Sequence, residues 1–212
     1  MHLHTVPPED DEVVSLFWAL VVDARVLALR HPDTGSELAP ASSRPQHTIW
    51  PASLLYMVLL DQIGTAVTPL ASTVRERTPG LVRALKEFGT EVRNLRDGDI
   101  DTLYALRCCF AHDYSLMNLP DNERHRRRYS RLFALTYGPE RPLIKNPSQP
   151  WDGEIDPLPA ERTIINLYAF ENLVEDVIRN VQIRASRGEL VLASNMDENE
   201  FTLRYTMRIR TR

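Results

Sequence analysis

The segment from Leu103 to Ser115 constrains this fold most, because it combines the pattern of a buried helix with reactive side chains. Apolar residues recur at spacings of three, four and seven, and this predicts that one stripe of a helix packs into a core. These apolar residues are Leu103, Leu106, Phe110 and Met117. Polar residues that a core helix does not require interrupt the stripe: Arg107, His112, Asp113 and Tyr114.

Three of these polar residues have spacings that fix their positions around an α-helix. Arg107 and Tyr114 are seven residues apart, so they lie on nearly one face and are separated by roughly 10 Å along the axis. His112 follows Arg107 by five residues, which places it roughly 140° around the axis from Arg107. One α-helix therefore does not bring the arginine and the histidine to one point. A second copy, packed across a two-fold axis, brings the arginine of one subunit to the histidine of the other.

The spacing R-x4-H of Arg107 and His112 resembles the signature of the HEPN superfamily (higher eukaryotes and prokaryotes nucleotide-binding domains). Tyr114 extends the match to R-x4-H-x-Y, the form found in HEPN toxins that are paired with a minimal nucleotidyltransferase. The helical context from about 11 to 118 is similar as well. The resemblance implies an α-helical bundle that forms a homodimer, with a metal-independent ribonuclease site in the dimer cleft. One position departs from the family: Cys108 stands where a polar residue, often Asn, is common.

The resemblance assigns catalysis to Arg107 and His112, with Tyr114 in support. An arginine matches phosphate oxygens and stabilises developing charge, and a histidine titrates near neutral pH and transfers protons. Tyr114 is suited to hydrogen bonding with a phosphate or stacking on a base, while Asp113 either orients His112 or competes for Arg107. The family implies a cyclic 2′,3′-phosphate product and, in the nucleotidyltransferase-paired branch, adenylylation at the position of Tyr114.

Composition limits how the chain can attract RNA. The formal net charge is −4, so any attraction to nucleic acid must come from local basic patches. The one basic run follows the motif and supplies four predicted substrate-binding residues: Arg124, Arg126, Arg127 and Arg128. Asp113, within the motif, is the fifth predicted substrate-binding residue. An ordinary solvated charge run is the alternative interpretation of this segment.

The remaining sequence features favour a cytoplasmic protein without a cofactor. The two cysteines, Cys108 and Cys109, are adjacent and form no disulfide framework, which favours a reducing compartment. The apolar run 13–29 contains Asp23 and Arg25, so we interpret it as a core helix and expect no membrane attachment. We find no glycine-rich phosphate loop, zinc-type spacing or nucleophile elbow, and we predict neither a metal nor a cofactor.

The hydrophobic pattern predicts four helices before residue 118, which is typical of a bundle. We expect the first over 11–31, the second from about 49, the third over 81–95, and the motif helix from Asp99. Within the second helix, Gly64 indicates close packing by a neighbouring helix. Asp61, in the same helix, is expected to pair with a nearby arginine or to be exposed, with a place in the cleft as the alternative.

The second half of the chain is predicted to be a mixture. Segments 132–136 and 142–145 resemble a β-hairpin, 161–187 a long helix, and 201–210 a half-buried strand with a basic face. We divide the chain into 1–118 (the helical bundle half with the motif), 119–158 (the basic run, hairpin and loop) and 159–212 (the long helix and tail strand), all packing as one domain. The predicted fold class is mainly α, a HEPN-like helical bundle with a small β-hairpin and tail-strand appendage.

The sequence therefore predicts a HEPN-like, metal-independent endoribonuclease that acts as a homodimer on RNA. A toxin or defence effector with a nucleotidyltransferase-like antitoxin partner is the expected setting. Two alternatives remain open. One is a catalytically silent HEPN-like module that binds a nucleotide, RNA or a partner protein. The other is a structural dimerisation protein in which the spacing of Arg107 and His112 is a coincidence.

Overall fold

A computed structural model describes residues 11–75, 77–113, 115–123, 125, 129–149, 151, 159–193 and 196–210, with only the backbone at 11–14, 112, 113, 159 and 208–210. The chain is 56% helical and 15% strand, which confirms a mainly α fold. The α-helices are α1 (Leu16–Leu27), α2 (Gln46–Ala66), α3 (Gly80–Ala84), α4 (Thr90–Arg93), α5 (Asp97–Cys108), α6 (Leu167–Ser186) and α7 (Glu198–Tyr205). Two π-helices adjoin them, Leu85–Gly89 between α3 and α4 and Cys109–Asp113 after α5.

The strands form three small sheets. Their bounds are β1 (Asp11–Ser15), β2 (Val67–Pro69), β3 (Met117–Asn118), β4 (Arg131–Thr136), β5 (Ile144–Lys145), β6 (Arg162–Asn166), β7 (Leu190–Leu192) and β8 (Thr206–Arg210). β1 pairs with β8 and β2 with β7, both antiparallel. The largest sheet has the order β3-β4-β6-β5, in which only the pair β4 and β6 is parallel.

Helix α2 lies at the centre of the helical core and contacts α1, α3 and α6. Its closest neighbour is α3, because both helices present a glycine where they meet. A Cβ atom added to Gly64 would lie 1.9 Å from the carbonyl oxygen of Gly80, and one added to Gly80 would lie 2.3 Å from the carbonyl oxygen of Asp61. The prediction that Gly64 marks a close helix contact is therefore confirmed.

A buried charge network fastens α6 to α1 and α2. Glu175 accepts hydrogen bonds from Arg25 and from the Tyr56 hydroxyl, at 2.8 and 2.7 Å. One turn earlier, Glu171 pairs with Arg44 at 2.5 Å. Although burial alone lowers the pKa of Arg44, the neighbouring Glu171 carboxylate raises it above its ordinary value. Buried carboxylates are thus matched by arginines and hydroxyls, as buried charges require.

The two ends of the chain differ from the predicted elements. The expected helix over 11–31 begins only at Leu16, because residues 11–15 form strand β1 along β8. Ser15 then caps α1 by accepting a hydrogen bond from the Trp18 amide. The expected strand over 201–210 is also corrected: its first half is helix α7, and only 206–210 form β8.

The predicted β-hairpin is wrong. Strands β4 and β5 both exist, but β6 lies between them and pairs with each. β6 comprises the first residues of the segment predicted as the long helix 161–187, and that helix begins at Leu167 instead. Two consecutive isoleucines, Ile164 and Ile165, favour the strand, and hydrogen bonding on both edges of β6 stabilises it.

Other predicted helix boundaries moved by a few residues. Helix α2 begins at Gln46 instead of near residue 49, and Pro51 lies inside it. The predicted helix 81–95 is divided into α3, a π-helix and α4, which together end at Arg93. Within the described residues, none of the helices combines the length and apolarity that a membrane crossing requires. The three-part division of the chain stays a prediction.

Candidate functional site

The site is built around an ion pair between Arg107 of α5 and Asp61 of α2. The Arg107 Nε atom lies 2.5 Å from Asp61 Oδ2, and the Nη2 group of the same guanidinium also contacts this oxygen. The side chain of Arg107 is 25% exposed and that of Asp61 is 20% exposed, so solvent reaches both. Of the alternatives that the sequence left open for Asp61, the structure shows pairing with an arginine, and a place in a dimer cleft stays a prediction.

Asp61 also fixes the start of a third helix. Its Oδ1 atom accepts a hydrogen bond of 2.8 Å from the Leu81 amide, one of the first amides of α3 that lack an intrahelical acceptor. The side chain thus joins α2, α3 and α5 at one point. This geometry depends on the close approach of Gly64 and Gly80, which brings the two helix backbones together.

An open pocket of about 500 Å³ lies over this ion pair. Residues of α2, α5, α7 and the start of α3 line it: Val58, Asp61, Gln62, Thr65, Pro79, Gly80, Tyr104, Arg107 and Tyr205. The Gln62 side-chain oxygen is buried in this wall, and it accepts no hydrogen bond from any residue that the structure describes. The pocket therefore offers a cation and a carboxylate to a polar ligand.

Tyr104 and Cys108 connect the pocket to the outer face of α5. The Tyr104 hydroxyl and the Cys108 thiol form a hydrogen bond, and Arg107 contacts the same thiol. Burial, together with Cys108, raises the pKa of Tyr104 to about 12, so its ring is neutral at physiological pH. Burial likewise raises the pKa of Cys108, which therefore remains a thiol and a poor nucleophile.

The motif helix is not a continuous α-helix, which corrects the expectation from the sequence. Helix α5 ends at Cys108, and the π-helix Cys109–Asp113 carries the backbone of His112. In this π-helix, Phe110 is fully buried and stacks on Trp50, with 3.8 Å between the ring centroids. A π-helical turn closes over five residues, so position 112 lies closer to the Arg107 side of the axis than the α-helical 140° implied.

The structure describes only part of the predicted site. Arg107 lies in the pocket, while only the backbone is described at His112 and Asp113. The other predicted site residues lie outside the described part of the chain: Tyr114, Arg124, Arg126, Arg127 and Arg128. Sequence reasoning did not select Tyr104 or Gln62. Tyr104 precedes Arg107 by three residues on an α-helix, and this spacing was a usable signal that the two share a face.

Two further findings bear on the nature of this site. Across the described ranges, no group of three or more His, Cys, Asp or Glu side chains is placed to hold a metal ion. Comparisons of the chain with protein-family models, curated proteins and solved structures give no match. The arrangement of the chain's own residues therefore carries the functional argument.

Proposed function

We propose that this protein is a HEPN-like, metal-independent endoribonuclease whose site is completed in a homodimer. The observation that carries the proposal is the partly exposed Arg107 side chain in a polar pocket, two residues before a π-helix that contains His112. π-Helical turns are rare and frequently occur at functional sites. The R-x4-H spacing thus coincides with an accessible cation and a local irregularity of the helix.

In the proposed reaction, the 2′-oxygen of a nucleotide attacks the adjacent phosphorus while the bond from phosphorus to the 5′-oxygen breaks. The proton of the 2′-hydroxyl leaves, and the 5′-oxygen gains one, so the products are a cyclic 2′,3′-phosphate and a 5′-hydroxyl. His112 transfers a proton in this step. Arg107 stabilises the charge on the phosphorane oxygens.

The ion pair sets a condition on this mechanism. Asp61 occupies the guanidinium of Arg107, so an RNA phosphate has to share or replace that carboxylate. Sharing is feasible because both side chains reach solvent, which screens the attraction between them. Asp61→Asn removes the competing charge but keeps an oxygen that can accept the Leu81 amide. We expect it to lower the KM for RNA.

The decisive test is cleavage of a mixed-sequence RNA in EDTA by wild type, Arg107→Ala and His112→Ala. We expect each substitution to reduce the cleavage rate by about 100-fold or more. About 100-fold is the lower end of the effect that loss of a proton-transfer group has on a rate. Arg96→Ala is the matched control, because Arg96 lies immediately before the same helix with 80% of its side chain exposed. It should cleave like wild type, and light scattering should show that all variants form the same dimer.

A catalytically silent binding module is the second candidate, and the Asp61–Arg107 pair favours it. A guanidinium that serves only to join α2 and α5 needs no substrate. In that case wild type cleaves no RNA in EDTA, and Asp61→Asn changes only stability. Cleavage that persists in both Arg107→Ala and His112→Ala would contradict the proposed site.

A further inference from the structure

Three rings form a continuous series on the surface beside the pocket. The Tyr104 and Tyr129 ring centroids are 5.3 Å apart, with an interplanar angle of 68°. The Tyr129 and His125 centroids are 5.9 Å apart, with an angle of 75°. We call these three residues the aromatic row. Aromatic rings hold one another in such edge-to-face contacts.

The aromatic row leads from solvent to the candidate site. His125 is exposed, Tyr129 is partly buried, and Tyr104 packs against the core while it lines the pocket of Arg107. The backbone of Tyr129 is held in place, since its carbonyl oxygen accepts a hydrogen bond of 2.7 Å from the Asn118 side-chain amide. The inner rings are therefore anchored, whereas the outer ring can be approached from solvent.

The chain around the aromatic row is basic in sequence. Five arginines fall within eight positions, while the whole protein carries a formal charge of −4: Arg124, Arg126, Arg127, Arg128 and Arg131. Of these, Arg131 is described. Burial lowers the pKa of its guanidinium, and the Asp101 carboxylate offsets only part of this effect. A positively charged segment combined with aromatic side chains on which bases can stack is what proteins use to bind single-stranded nucleic acid.

We propose that the aromatic row is a stacking platform for unpaired bases, and that it guides single-stranded RNA to the Arg107 pocket. This inference rests on the proposed ribonuclease function. The length of the aromatic row is at most the sum of its two centroid separations. This length equals the rise of about three stacked bases, at roughly 3.4 Å per base. Bases in a duplex stack on one another and cannot reach the rings, so the row selects single strands.

The test measures binding in a His112→Ala background, so that the RNA remains intact. Fluorescence anisotropy compares a labelled mixed-sequence RNA 12-mer with the same 12-mer annealed to its complement. We expect the single strand to bind at least about 10-fold more tightly. Tyr129→Ala should weaken single-strand binding by about 10-fold and exposed His125→Ala by about 5-fold, within the range for loss of one stacked base. Tyr129→Phe, which keeps the ring, should bind within about 2-fold.

Tyr168→Ala is the matched control. Tyr168 and Tyr137 form a second edge-to-face pair, 5.6 Å apart, and the Tyr168 hydroxyl donates to Glu37 instead of facing the Arg107 pocket. Its removal should leave RNA binding unchanged. Circular dichroism and thermal melting establish that each variant is folded, and His125→Ala keeps the test decisive if Tyr129→Ala does not fold.

The outcomes separate this inference from the function on which it rests. If wild type cleaves RNA in EDTA but both His125→Ala and Tyr129→Ala bind like the parent protein, the ribonuclease stands and the platform is wrong. Equal binding of the duplex and the single strand also overturns the platform. If RNA is neither bound nor cleaved, both proposals fail.

Discussion

Two arginine–carboxylate pairs that join helices in this protein, Arg25–Glu175 and Arg107–Asp61, differ in access to solvent. Arg25 and Glu175 keep 3% and 4% of their side-chain exposure, whereas Arg107 and Asp61 keep 25% and 20%. Each pair ties α2 to a neighbour, the first through Tyr56 to α6 and the second directly to α5. The same chemistry is therefore used both inside the core and at its edge.

The buried pair serves the fold alone. Both oxygens of Glu175 accept hydrogen bonds from Arg25, and Tyr56 adds a third donor. Arg25 also donates to the carbonyl oxygens of Pro32 and Asp33, at 2.8 and 2.9 Å. No ligand can enter such a cluster without unfolding it. The Arg107 pair instead borders an open pocket with a buried Gln62 acceptor. Access, rather than the presence of a charged pair, distinguishes a candidate site from a structural one.

The largest expected effect comes from breaking the buried pair. Glu175→Ala leaves the Arg25 guanidinium buried without its carboxylate, and this should lower the free energy of unfolding by about 3–5 kcal/mol. Urea unfolding followed by circular dichroism measures the change.

The adjacent residue, Asp176, is the matched control for Glu175. It lies on the same helix and pairs with Arg93 and Arg179, whose side chains are 47% and 63% exposed. Asp176→Ala should cost less than about 1 kcal/mol, as is usual for surface ion pairs. Equal losses in Glu175→Ala and Asp176→Ala would show that burial does not separate the two kinds of pair.

A smaller effect is expected where α2 and α3 hold Asp61 in place. In Gly64→Ala, the new methyl group would meet the Gly80 carbonyl oxygen at 1.9 Å, so the helices must move apart. Overpacking of this kind costs about 1–3 kcal/mol. The shift should also disturb the hydrogen bond from the Leu81 amide to Asp61, which faster hydrogen exchange at Leu81 would report.

Gly98 provides the opposite case for the same substitution. A Cβ atom there meets no atom within 4 Å, and the residue lies in the first turn of α5. Gly98→Ala should leave stability unchanged or raise it by up to about 1 kcal/mol, because alanine favours a helix more than glycine does. A loss in Gly98→Ala as large as that in Gly64→Ala would refute the packing argument.

The sequence predicted the helical interior better than the ends of the elements. Leu103, Leu106 and Phe110 are fully buried, as their helical spacing indicated, but Met117 of the same predicted stripe lies in β3 and is 48% exposed. Periodicity is reliable here because one face of a helix must meet a core. The same reasoning failed at residues 11–15, whose partner strand lies at the other end of the chain, with Asp11 opposite Arg210. No local pattern contains a contact over that separation.

The candidate site shows the same limit. Arg107 was selected from the motif, but its pairing with Asp61 joins residues 46 positions apart. Local periodicity also gave no signal for the π-helix at His112, because a single wide turn leaves the apolar spacing nearly unchanged. Tyr104 was within reach of prediction, since it shares a helix face with Arg107. What the sequence lacked was the pocket that makes these residues accessible together.

We expect the smallest effect at neutral pH for Tyr104→Phe. The pH dependence of this variant extends the comparison between the Arg107 pocket and the buried network. The pKa of Tyr104 is raised to about 12, by burial first and then by Cys108, against an ordinary value of about 10. The folded protein therefore holds the phenolic proton more strongly than the unfolded chain. The resulting contribution to stability is complete below pH 10 and is lost as the pH rises from about 10 to about 12.

Tyr104→Phe has no phenol that ionises, so it does not lose this contribution. From about pH 10 to about pH 12, the free energy of unfolding should therefore fall less in the variant than in wild type. At pH 8 the substitution should lower the free energy of unfolding by less than about 1 kcal/mol, because only the hydrogen bond to a thiol is lost.

Tyr137, whose pKa is also raised to about 12, belongs to the buried network, and its hydroxyl contacts Arg44 and Glu171. Tyr137→Phe should show the same alkaline trend but cost about 1–3 kcal/mol at pH 8, because it leaves buried charged groups short of a partner. Equal costs of the two substitutions at pH 8 would mean that the pocket tyrosine stabilises the fold as much as the buried one does.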